Sequence, residues 1–339
     1  MGDRFDLRTL SVPLIVAPMA GGPTTPKLAA AASNAGGLGI LAGGLLSAEG
    51  LAASIAASRA MTTGPLGVNL FVPQASAGSA DVLADYALAL APEAQRRGVD
   101  LGTPLRDEGG WQAKLAVLLE MRPEVVSFTF DAPDATTCAQ LRAADVATIA
   151  TVTNLVEART AVACGVDALI VQGPSAGGHR ATFNPVTRPP EEPLLSLLGA
   201  ISAGVGVPVV AAGGLASADD VAVVTAAGAV AAALGTAFLL ADEAGTHPVH
   251  RRALQDDTFS ETVVTRSFTG RYARGLRNRF IDEHDAHAPA GFPDTAHMTG
   301  PLQAAAAGNG DPHGMALWAG TEFRRARTGP VAELMRDLA

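Results

Sequence analysis

The sequence is poor in lysine and cysteine, and each shortage narrows the chemistry available to the chain. Lys27 and Lys114 are the only lysines, so a Schiff-base mechanism has two candidates, and neither lies in a suitable context. Cys138 and Cys164 are far apart and match no metal-binding spacing, so neither a disulfide framework nor a structural zinc site is expected. This cysteine usage predicts a reducing compartment, the cytoplasm.

The chain also lacks a positive charge balance and an uninterrupted apolar run. A formal net charge of −9 argues against nucleic-acid binding, which needs a cationic surface to displace phosphate counterions. The first ten residues mix charged and apolar positions, so no export signal is expected. Three uncharged runs, 28–48, 193–218 and 221–241, are broken by glycines and Pro208. Buried strands flanked by alanine-rich helices explain them better than membrane spans do.

Eight short runs rich in Val, Ile and Leu alternate with helix-like segments. They span residues 12–18, 37–42, 66–71, 125–130, 146–151, 167–172, 207–212 and 229–235. Helix starts are indicated at Asp134, at Asn154 with Glu157 and at Ser217 with Asp220, and helix ends at Gly165 and Gly228. Apolar strands joined by helices form parallel sheets, and eight such units most simply close into an α/β fold, the (β/α)8 TIM barrel. An open doubly wound sheet is the alternative, although no dinucleotide-binding glycine pattern is present.

Two stretches are longer than a minimal connection between a strand and a helix. They are residues 73–123, after the third strand, and residues 241–314, after the eighth. All eight loops that follow the strands of a barrel emerge on its catalytic face, so long insertions there form lids or small domains. We therefore predict a barrel over residues 1–240 and a smaller, mainly helical substrate-binding domain over residues 241–314, above the carboxyl ends of the strands.

Two further segments are predicted to be helical. The amphipathic region 78–97 is expected to pack over the barrel. Residues 315–339 are expected to form a C-terminal helix that returns to the barrel wall, with Trp318 as an apolar anchor.

Glycines follow the last two predicted strands, where the carboxyl ends of the strands share one rim. Gly213 and Gly214 follow the seventh strand, and Leu234, Gly235 and Thr236 end the eighth. Phosphate sites of barrels recur in these two loops, because glycine N–H groups there face the anion. The pair of loops predicts an anion-binding cradle that needs no lysine, although such glycines can also serve only to turn the chain.

Two amides and one histidine stand out at the ends of other strands. Asn69 and Gln172 interrupt apolar strands, and a planar heterocycle with carbonyl and ring-nitrogen edges would satisfy their amides. The alternative is bonding to neighbouring backbone. His179 follows Gly177 and Gly178 just beyond the sixth strand. An imidazole with a pKa near ~6.5 can take a proton from carbon or hold an anionic substrate, so His179 is the predicted catalytic residue, with a structural histidine as the alternative.

Several longer stretches form a combination that is more specific than any single piece. They are "PLIVAPMAGGPTTPKLAAAASNAGGLGILAGG" (13–44), "GVNLF" (67–71), "DALIVQGPSAGGHRATF" (167–183), "VVAAGGLAS" (209–217), "LGTAFLL" (234–240), "SFTGRYARGLRNRFI" (267–281) and "LWAGTEFRRAR" (317–327). Together they resemble class I nitronate monooxygenases, FMN-dependent barrels formerly called 2-nitropropane dioxygenases. The resemblance implies oxidation of an alkyl nitronate by O2 to a carbonyl compound and nitrite, without a nicotinamide cofactor.

The resemblance also implies a set of site residues. FMN would be held by Pro18, Met19, Asn69, Gln172, Gly177, Gly178, Gly213, Gly214, Leu234, Gly235 and Thr236. His179 occupies the position of the family's catalytic histidine, as a base or a substrate-orienting residue. The implied partners are a small-molecule substrate and O2, with no nucleic acid and no membrane; the sequence predicts no particular oligomeric state.

The chain departs from the family pattern at two places. Ser175 stands where the family often has a glutamate before Ala-Gly-Gly-His, and Gly300 stands where a pocket tyrosine often precedes "PLQ". Tyr86 and Tyr272 are the only tyrosines of the chain. A natural substrate other than a nitronate and a wider pocket are therefore both open. An NADH- and FMN-dependent enoyl-thioester reductase, which shares the barrel and the Gly-Gly-His motif, and a non-catalytic flavin-binding protein are the alternative functions.

Two clusters admit a second interpretation. The histidine pairs 247 with 250 and 284 with 287 have a spacing seen in metal sites, but no third ligand is evident, so no metal is predicted. Five arginines crowd one segment: Arg266, Arg271, Arg274, Arg277 and Arg279. They could grip an anion, but pairing with Asp282, Glu283 and Asp285 is favoured.

Overall fold

The computed structural model describes residues 4–105 and 109–339, and its centre is a closed barrel of eight parallel strands. The barrel strands are β1 (Leu14–Val16), β2 (Leu38–Ala42), β3 (Leu66–Phe71), β4 (Val125–Thr129), β5 (Ala147–Val152), β6 (Ala168–Gln172), β8 (Val209–Ala212) and β9 (Ala231–Leu234). The short strand β7 (Gly178–His179) lies between β6 and β8 in the chain and outside the barrel. Ile15 pairs with Leu38 on one side and with Ala233 on the other, so the barrel sheet has no edge. This closure confirms the predicted (β/α)8 barrel over an open sheet.

Most helices follow the barrel strands, and others lie in the two long segments, 73–123 and 241–314. The helices are α1 (Pro26–Asn34), α2 (Ala48–Arg59), α3 (Ala80–Arg97), α4 (Trp111–Met121), α5 (Ala135–Ala143), α6 (Leu155–Cys164), α7 (Leu194–Gly204), α8 (Ala218–Ala226), α9 (Pro248–Gln255), α10 (Arg279–His284), α11 (Asp294–Gly308) and α12 (Val331–Leu338). The capping signals act as predicted: Asp134 accepts the Thr137 N–H at 2.7 Å, and Gly165 ends α6 with a φ of 92°. Within the described ranges, no helix is both long and apolar enough to cross a bilayer.

Apolar side chains fill the interior of the barrel and close one end of it. Ile15, Ile40, Ile149 and Ile170 are buried in one cluster that also contains Leu7, from the short turn before β1. Because the chain enters β1 from the amino-terminal side, this turn closes that end. The carboxyl ends of the strands are left as the end at which a ligand can lie.

The two long segments pack on each other. Helix α3 buries Leu83, Tyr86 and Leu90 against Phe268 and Phe280 of the second segment. The Tyr86 hydroxyl also donates a 2.6 Å hydrogen bond to the Ser267 carbonyl. The amphipathic region 78–97 is therefore helical as predicted, but its apolar face rests on the second segment and not directly on the barrel.

The second long segment contains a sheet that the mainly helical prediction omitted. Strands β10 (Thr262–Thr265) and β11 (Ala273–Leu276) are antiparallel, and β11 pairs with β7 at the other edge. In this pairing His179 lies opposite Ala273. Strand β7 has two residues, and β10 and β11 have four each, so none is long enough to show a strand periodicity in the sequence. The pairing of β11 with β7 also joins segments that are far apart in the chain.

The prediction of a helix over residues 315–339 is wrong for most of that range. Only α12 is a regular helix, preceded by a 3-10 turn at Phe323–Arg325. Gly320, Gly329 and Pro330 are helix breakers in the chain before α12, which is irregular apart from that turn. Trp318 pairs with Gly275 at the sheet, while α12 returns to the barrel wall, where its apolar face packs in the same cluster as Leu28.

Candidate active site

A cavity of about 600 Å³ lies at the carboxyl ends of the barrel strands, and the residues singled out in the sequence meet there. All twelve predicted site residues line it: Pro18, Met19, Asn69, Gln172, Gly177, Gly178, His179, Gly213, Gly214, Leu234, Gly235 and Thr236. Its floor includes Ile15 and Ile170 from inside the barrel. The structure thus brings the predicted residues together, while the role of each stays a prediction.

The glycines after β8 and β9 form a tight backbone concavity. Gly213 and Gly214 have φ values of 106° and 75°, which disfavour any other residue. A Cβ built on Gly214 would lie 2.8 Å from the Ser175 Cβ, and one on Gly177 would lie 2.4 Å from the Gly320 nitrogen. Among the described residues, the Gly214 N–H donates to no protein acceptor. Bare backbone therefore lines this corner, as an anion cradle requires.

The C-terminal chain forms one wall of the same corner. The Gly320 N–H donates to Thr236 Oγ1 at 2.9 Å, and the Thr321 N–H donates to the Ser175 carbonyl at 3.1 Å. These contacts connect the loop after β6, the loop after β9 and the extended segment near Trp318. Reasoning from the sequence did not predict this contribution, because it depends on the path of residues 315–330.

The two amides behave differently from each other. Gln172 donates to the His179 carbonyl at 3.0 Å and accepts the Ala181 N–H at 2.9 Å, so its side chain fixes the backbone around His179. For Gln172 the structure therefore shows the alternative given above, in which the amide bonds to neighbouring backbone and not to a ligand. Asn69, only 3% exposed, uses its NH2 group on the Ser127 carbonyl and on hydroxyls of Ser127 and Thr129. Its carbonyl oxygen accepts no hydrogen bond among the described residues and belongs to a cavity-lining side chain.

His179 is held by one hydrogen bond and three aromatic rings. Its Nε2 lies 2.9 Å from Thr269 Oγ1. The rings of Phe130, Phe292 and Trp318 lie with centroids 5.6, 5.8 and 5.6 Å from the imidazole centroid. Burial, reinforced by the charge of Arg271, lowers the pKa of His179 to about 3. The imidazole is therefore neutral at physiological pH.

Arg271 is a buried cation near this histidine. It is 1% exposed, its guanidinium carbon lies 3.9 Å from the Phe130 ring centroid, and it donates to Gln74 Oε1 and the Thr182 carbonyl. The favoured pairing of the arginine cluster with acidic residues therefore holds only in part. Arg277 pairs with Asp282, and Arg279 with Glu283, whereas Arg271 and Arg274 bond to neutral oxygens.

Several cavity residues were missed by reasoning from the sequence. The aromatic lining is Phe71, Phe292 and Trp318, and neither tyrosine of the chain takes part. Thr269 and Gln303 also line the cavity. The stretches 67–71 and 267–281 carried a signal for Phe71 and Thr269 through their resemblance to the family, whereas Phe292 lies in no such stretch.

The two histidine pairs separate in the structure. His247 and His250 both line the cavity, whereas His284 lies beside the Phe280 ring. Among the described residues, Glu93, Glu283 and His284 form a group close enough to hold a metal ion. Glu93 already pairs with Arg96, Arg97 and Arg279, which occupies its oxygens.

Comparison with known proteins identifies the family to which the chain is similar. The model of the family described as nitronate monooxygenase matches residues 6–339. A nitronate monooxygenase from Paraburkholderia phytofirmans is 37% identical over 333 residues, covering 96% of this chain and 91% of that protein. A probable nitronate monooxygenase from Staphylococcus aureus strain Newman is 33% identical over 337 residues, covering 97% and 94%.

Solved structures agree over the same length. A nitroalkane oxidase from Streptomyces ansochromogenes has a TM-score of 0.93 and 46% identity, covering 98% of this chain and 96% of its own. FabK from Thermotoga maritima has a TM-score of 0.74 and 26% identity, covering 98% and 93%. These matches include the barrel, the second segment and the C-terminal chain alike. The chain belongs to the nitronate monooxygenase family and is an oxidoreductase.

Proposed function

We propose that this enzyme uses FMN and O2 to oxidise alkyl nitronates to carbonyl compounds and nitrite. The observation that carries the proposal is the placement of His179 in the same cavity as the glycine corner after β8 and β9. A mononucleotide needs both an anion cradle and room for a flat ring system. Membership of the family supports the same reading.

The residues present fit FMN. The corner at Gly177, Gly213 and Gly214 is one that a Cβ would fill, which suits a phosphate approached by bare backbone. Gly178, Leu234, Gly235 and Thr236 would complete the phosphate end, and Pro18, Met19, Asn69 and Gln172 would lie along the ring and ribityl chain. The free carbonyl of Asn69 suits a ring N–H. FMN bound here would supply the electron transfer between substrate and O2.

His179 acts on the substrate as a neutral group in this proposal. A base whose conjugate acid has a pKa of about 3 is poorly matched to abstracting a proton from carbon near neutral pH. A nitronate has already lost that proton, so the histidine need only orient the anion. We therefore favour the substrate-orienting role of His179 over the role of base.

The second segment contributes walls of the cavity through Phe292, Ala296 and Gln303. We propose that residues 241–314, together with Trp318, form the substrate-binding part of the enzyme. The lining by phenylalanine, tryptophan and alanine suits an alkyl chain.

Anaerobic reduction tests the function and separates it from the reductase. The purified protein should carry FMN, and addition of ethyl nitronate without O2 should change the flavin absorbance within seconds, whereas NADH should not. Rapid bleaching by NADH and turnover of a crotonyl thioester would favour the enoyl-thioester reductase instead. A His179→Gln variant should retain FMN, and its nitronate turnover should fall about 100-fold because the substrate is no longer oriented. Unchanged turnover in that variant would favour an accessory role for this histidine.

A further inference from the structure

Thr269 is the protein group that contacts the imidazole of His179 by a hydrogen bond, and it lies in the turn between β10 and β11. Its Oγ1 is 2.9 Å from His179 Nε2, 3.2 Å from the Arg271 carbonyl oxygen and 3.4 Å from the Arg271 nitrogen. Thr269 and His179 both line the cavity. The hydroxyl has a single proton, so it can donate to only one of its two acceptors.

Proton accounting leaves two arrangements for a neutral imidazole. In the first, Nε2–H donates to Thr269, the hydroxyl donates to the Arg271 carbonyl, and Nδ1 offers a lone pair to the cavity. In the second, the hydroxyl donates to Nε2 and accepts the Arg271 N–H, and Nδ1 carries the proton. Nδ1 has no protein partner among the described residues and is not sealed from the cavity.

The substrate decides between them, and at this step the inference rests on the proposed function. A lone pair on Nδ1 would repel an anionic nitronate, whereas an N–H there would donate to one of its oxygens. The hydroxyl oxygen can accept the Arg271 N–H in both arrangements, so the second differs in leaving the Arg271 carbonyl without the Thr269 proton, and an under-satisfied carbonyl is better tolerated than an unpaired N–H. The Arg271 N–H in turn polarises the hydroxyl toward Nε2.

We propose that Thr269 is a positioning residue whose hydroxyl donates to Nε2 of His179, which holds the imidazole proton on Nδ1 as the donor for the nitronate. The surrounding structure preserves this arrangement. The rings of Phe130, Phe292 and Trp318 surround the imidazole. The turn that carries Thr269 is fixed by Gly270, whose φ is 76° and whose built Cβ would lie 2.6 Å from the backbone of Gly291.

Nitrogen NMR reads the tautomer directly. Protein labelled with 15N-histidine should show, for His179, a protonated Nδ1 and an unprotonated Nε2 at pH 7; the signals are assigned by their loss in His179→Gln. Thr269→Val keeps the shape and removes the hydroxyl, and it should give a mixture of tautomers and about a tenfold loss in kcat/KM for ethyl nitronate. Thr269→Ser should restore both the tautomer and most of the activity.

Thr137→Val is the matched control, because Thr137 is a buried threonine of α5 that does not line the cavity and lies outside the proposed substrate-binding segment. It should change neither the tautomer nor kcat/KM. A wild-type spectrum with the proton on Nε2 would overturn the inference, and so would a Thr269→Val variant with an unaltered spectrum. With either of these results the wild-type enzyme would still turn over nitronate, so only the inference about Thr269 would fail. If the proposed function were wrong, the enzyme would not turn over nitronate at all, although the tautomer of His179 could still be measured.

Discussion

Arg271 places its guanidinium carbon 3.9 Å from the centroid of the Phe130 ring, and the same ring meets the imidazole of His179 edge-on at 5.6 Å. The buried cation and the histidine therefore contact the same aromatic ring. Burial and this charge together lower the pKa of His179, so the charge is a removable part of the effect.

Arg271→Met should raise the pKa of His179 from about 3 toward its ordinary value, because the variant keeps the burial and removes the repelling charge. The ionisation of His179 should then appear in the pH profile of kcat/KM at a higher pH than in the wild type. An NMR titration of the histidine measures the same shift.

Arg180→Met is the control for that variant. Arg180 is also 1% exposed and is hydrogen-bonded to the Pro190 carbonyl, but its charge does not act on the pKa of His179. Both variants remove a buried guanidinium, so both are expected to lose stability. An equal displacement of the pH profile in the two would show that the effect does not come from Arg271.

Gly214→Ala should abolish FMN retention. The new Cβ would lie 2.8 Å from the Ser175 Cβ at a φ of 75°, so the loop after β8 must move and its N–H groups would leave the proposed phosphate site. Gly98→Ala has the matched strain, with a φ of 66° and no atom within 4 Å of the new Cβ. The flavin-to-protein ratio after gel filtration measures the outcome. Full flavin content in Gly214→Ala would remove the cradle from the proposed site.

His250→Phe should make the protein less sensitive to acid. Burial, together with the charge of His247, lowers the pKa of His250 to about 4 from its ordinary 6.5. Between these values the unfolded chain binds a proton that the folded protein does not, so stability falls as pH decreases through the window from 6.5 to 4. Between pH 7 and pH 4.5, the His250→Phe variant should therefore lose about 2 kcal/mol less of its free energy of unfolding than the wild type does.

Urea denaturation of the flavin-free protein at the two pH values tests this prediction. His287→Phe, which changes an exposed histidine, is the comparison and should reproduce the acid sensitivity of the wild type. If both variants lose the same free energy of unfolding on acidification as the unmodified chain, His250 is not a source of the pH dependence.

Glu93→Gln should lower the free energy of unfolding by about 3 kcal/mol, since it leaves charged groups unpaired in a buried setting. The Glu93 side chain is 0% exposed and pairs with Arg97 of α3 and Arg279 of α10. Burial alone would raise the pKa of Glu93, but the hydrogen bonds from Arg279 and Arg97 outweigh it and hold the pKa at about 2. The pairing thus contributes stability above pH 4.5 that is lost as pH falls toward 2.

Glu283→Gln is the matched comparison, because Glu283 pairs with the same Arg279 but is 39% exposed. It should cost less than about 1 kcal/mol in urea denaturation. Similar losses in the two variants would mean that burial adds nothing to the Glu93 pairs.

The sequence alone determined the barrel and the composition of its rim. Seven of the eight apolar runs contain a barrel strand, and the fifth, 146–151, overlaps all but the last residue of β5. The signals at Asp134 and Ser217 begin helices, and the signal at Gly165 ends one, as predicted. These features depend on residues a few positions apart, so local periodicity and capping chemistry are sufficient to read them. The carboxyl ends of parallel strands share one rim, and this rule brought Asn69, Gly214 and His179 to one cavity before any contact was known.

Only the tertiary structure decided which groups act on one another there. Thr269 reaches His179 across 90 residues of chain, Arg271 stacks on Phe130, and Gln172 bonds to backbone where a ligand was the competing interpretation. The strand β7 exists only because β11 lies beside it, and residues 318–320 lie against the sheet and the glycine corner. Such contacts depend on how loops that are far apart in the chain lie relative to one another. No local sequence pattern encodes this placement, because the packing energy that selects it arises only when the distant segments meet.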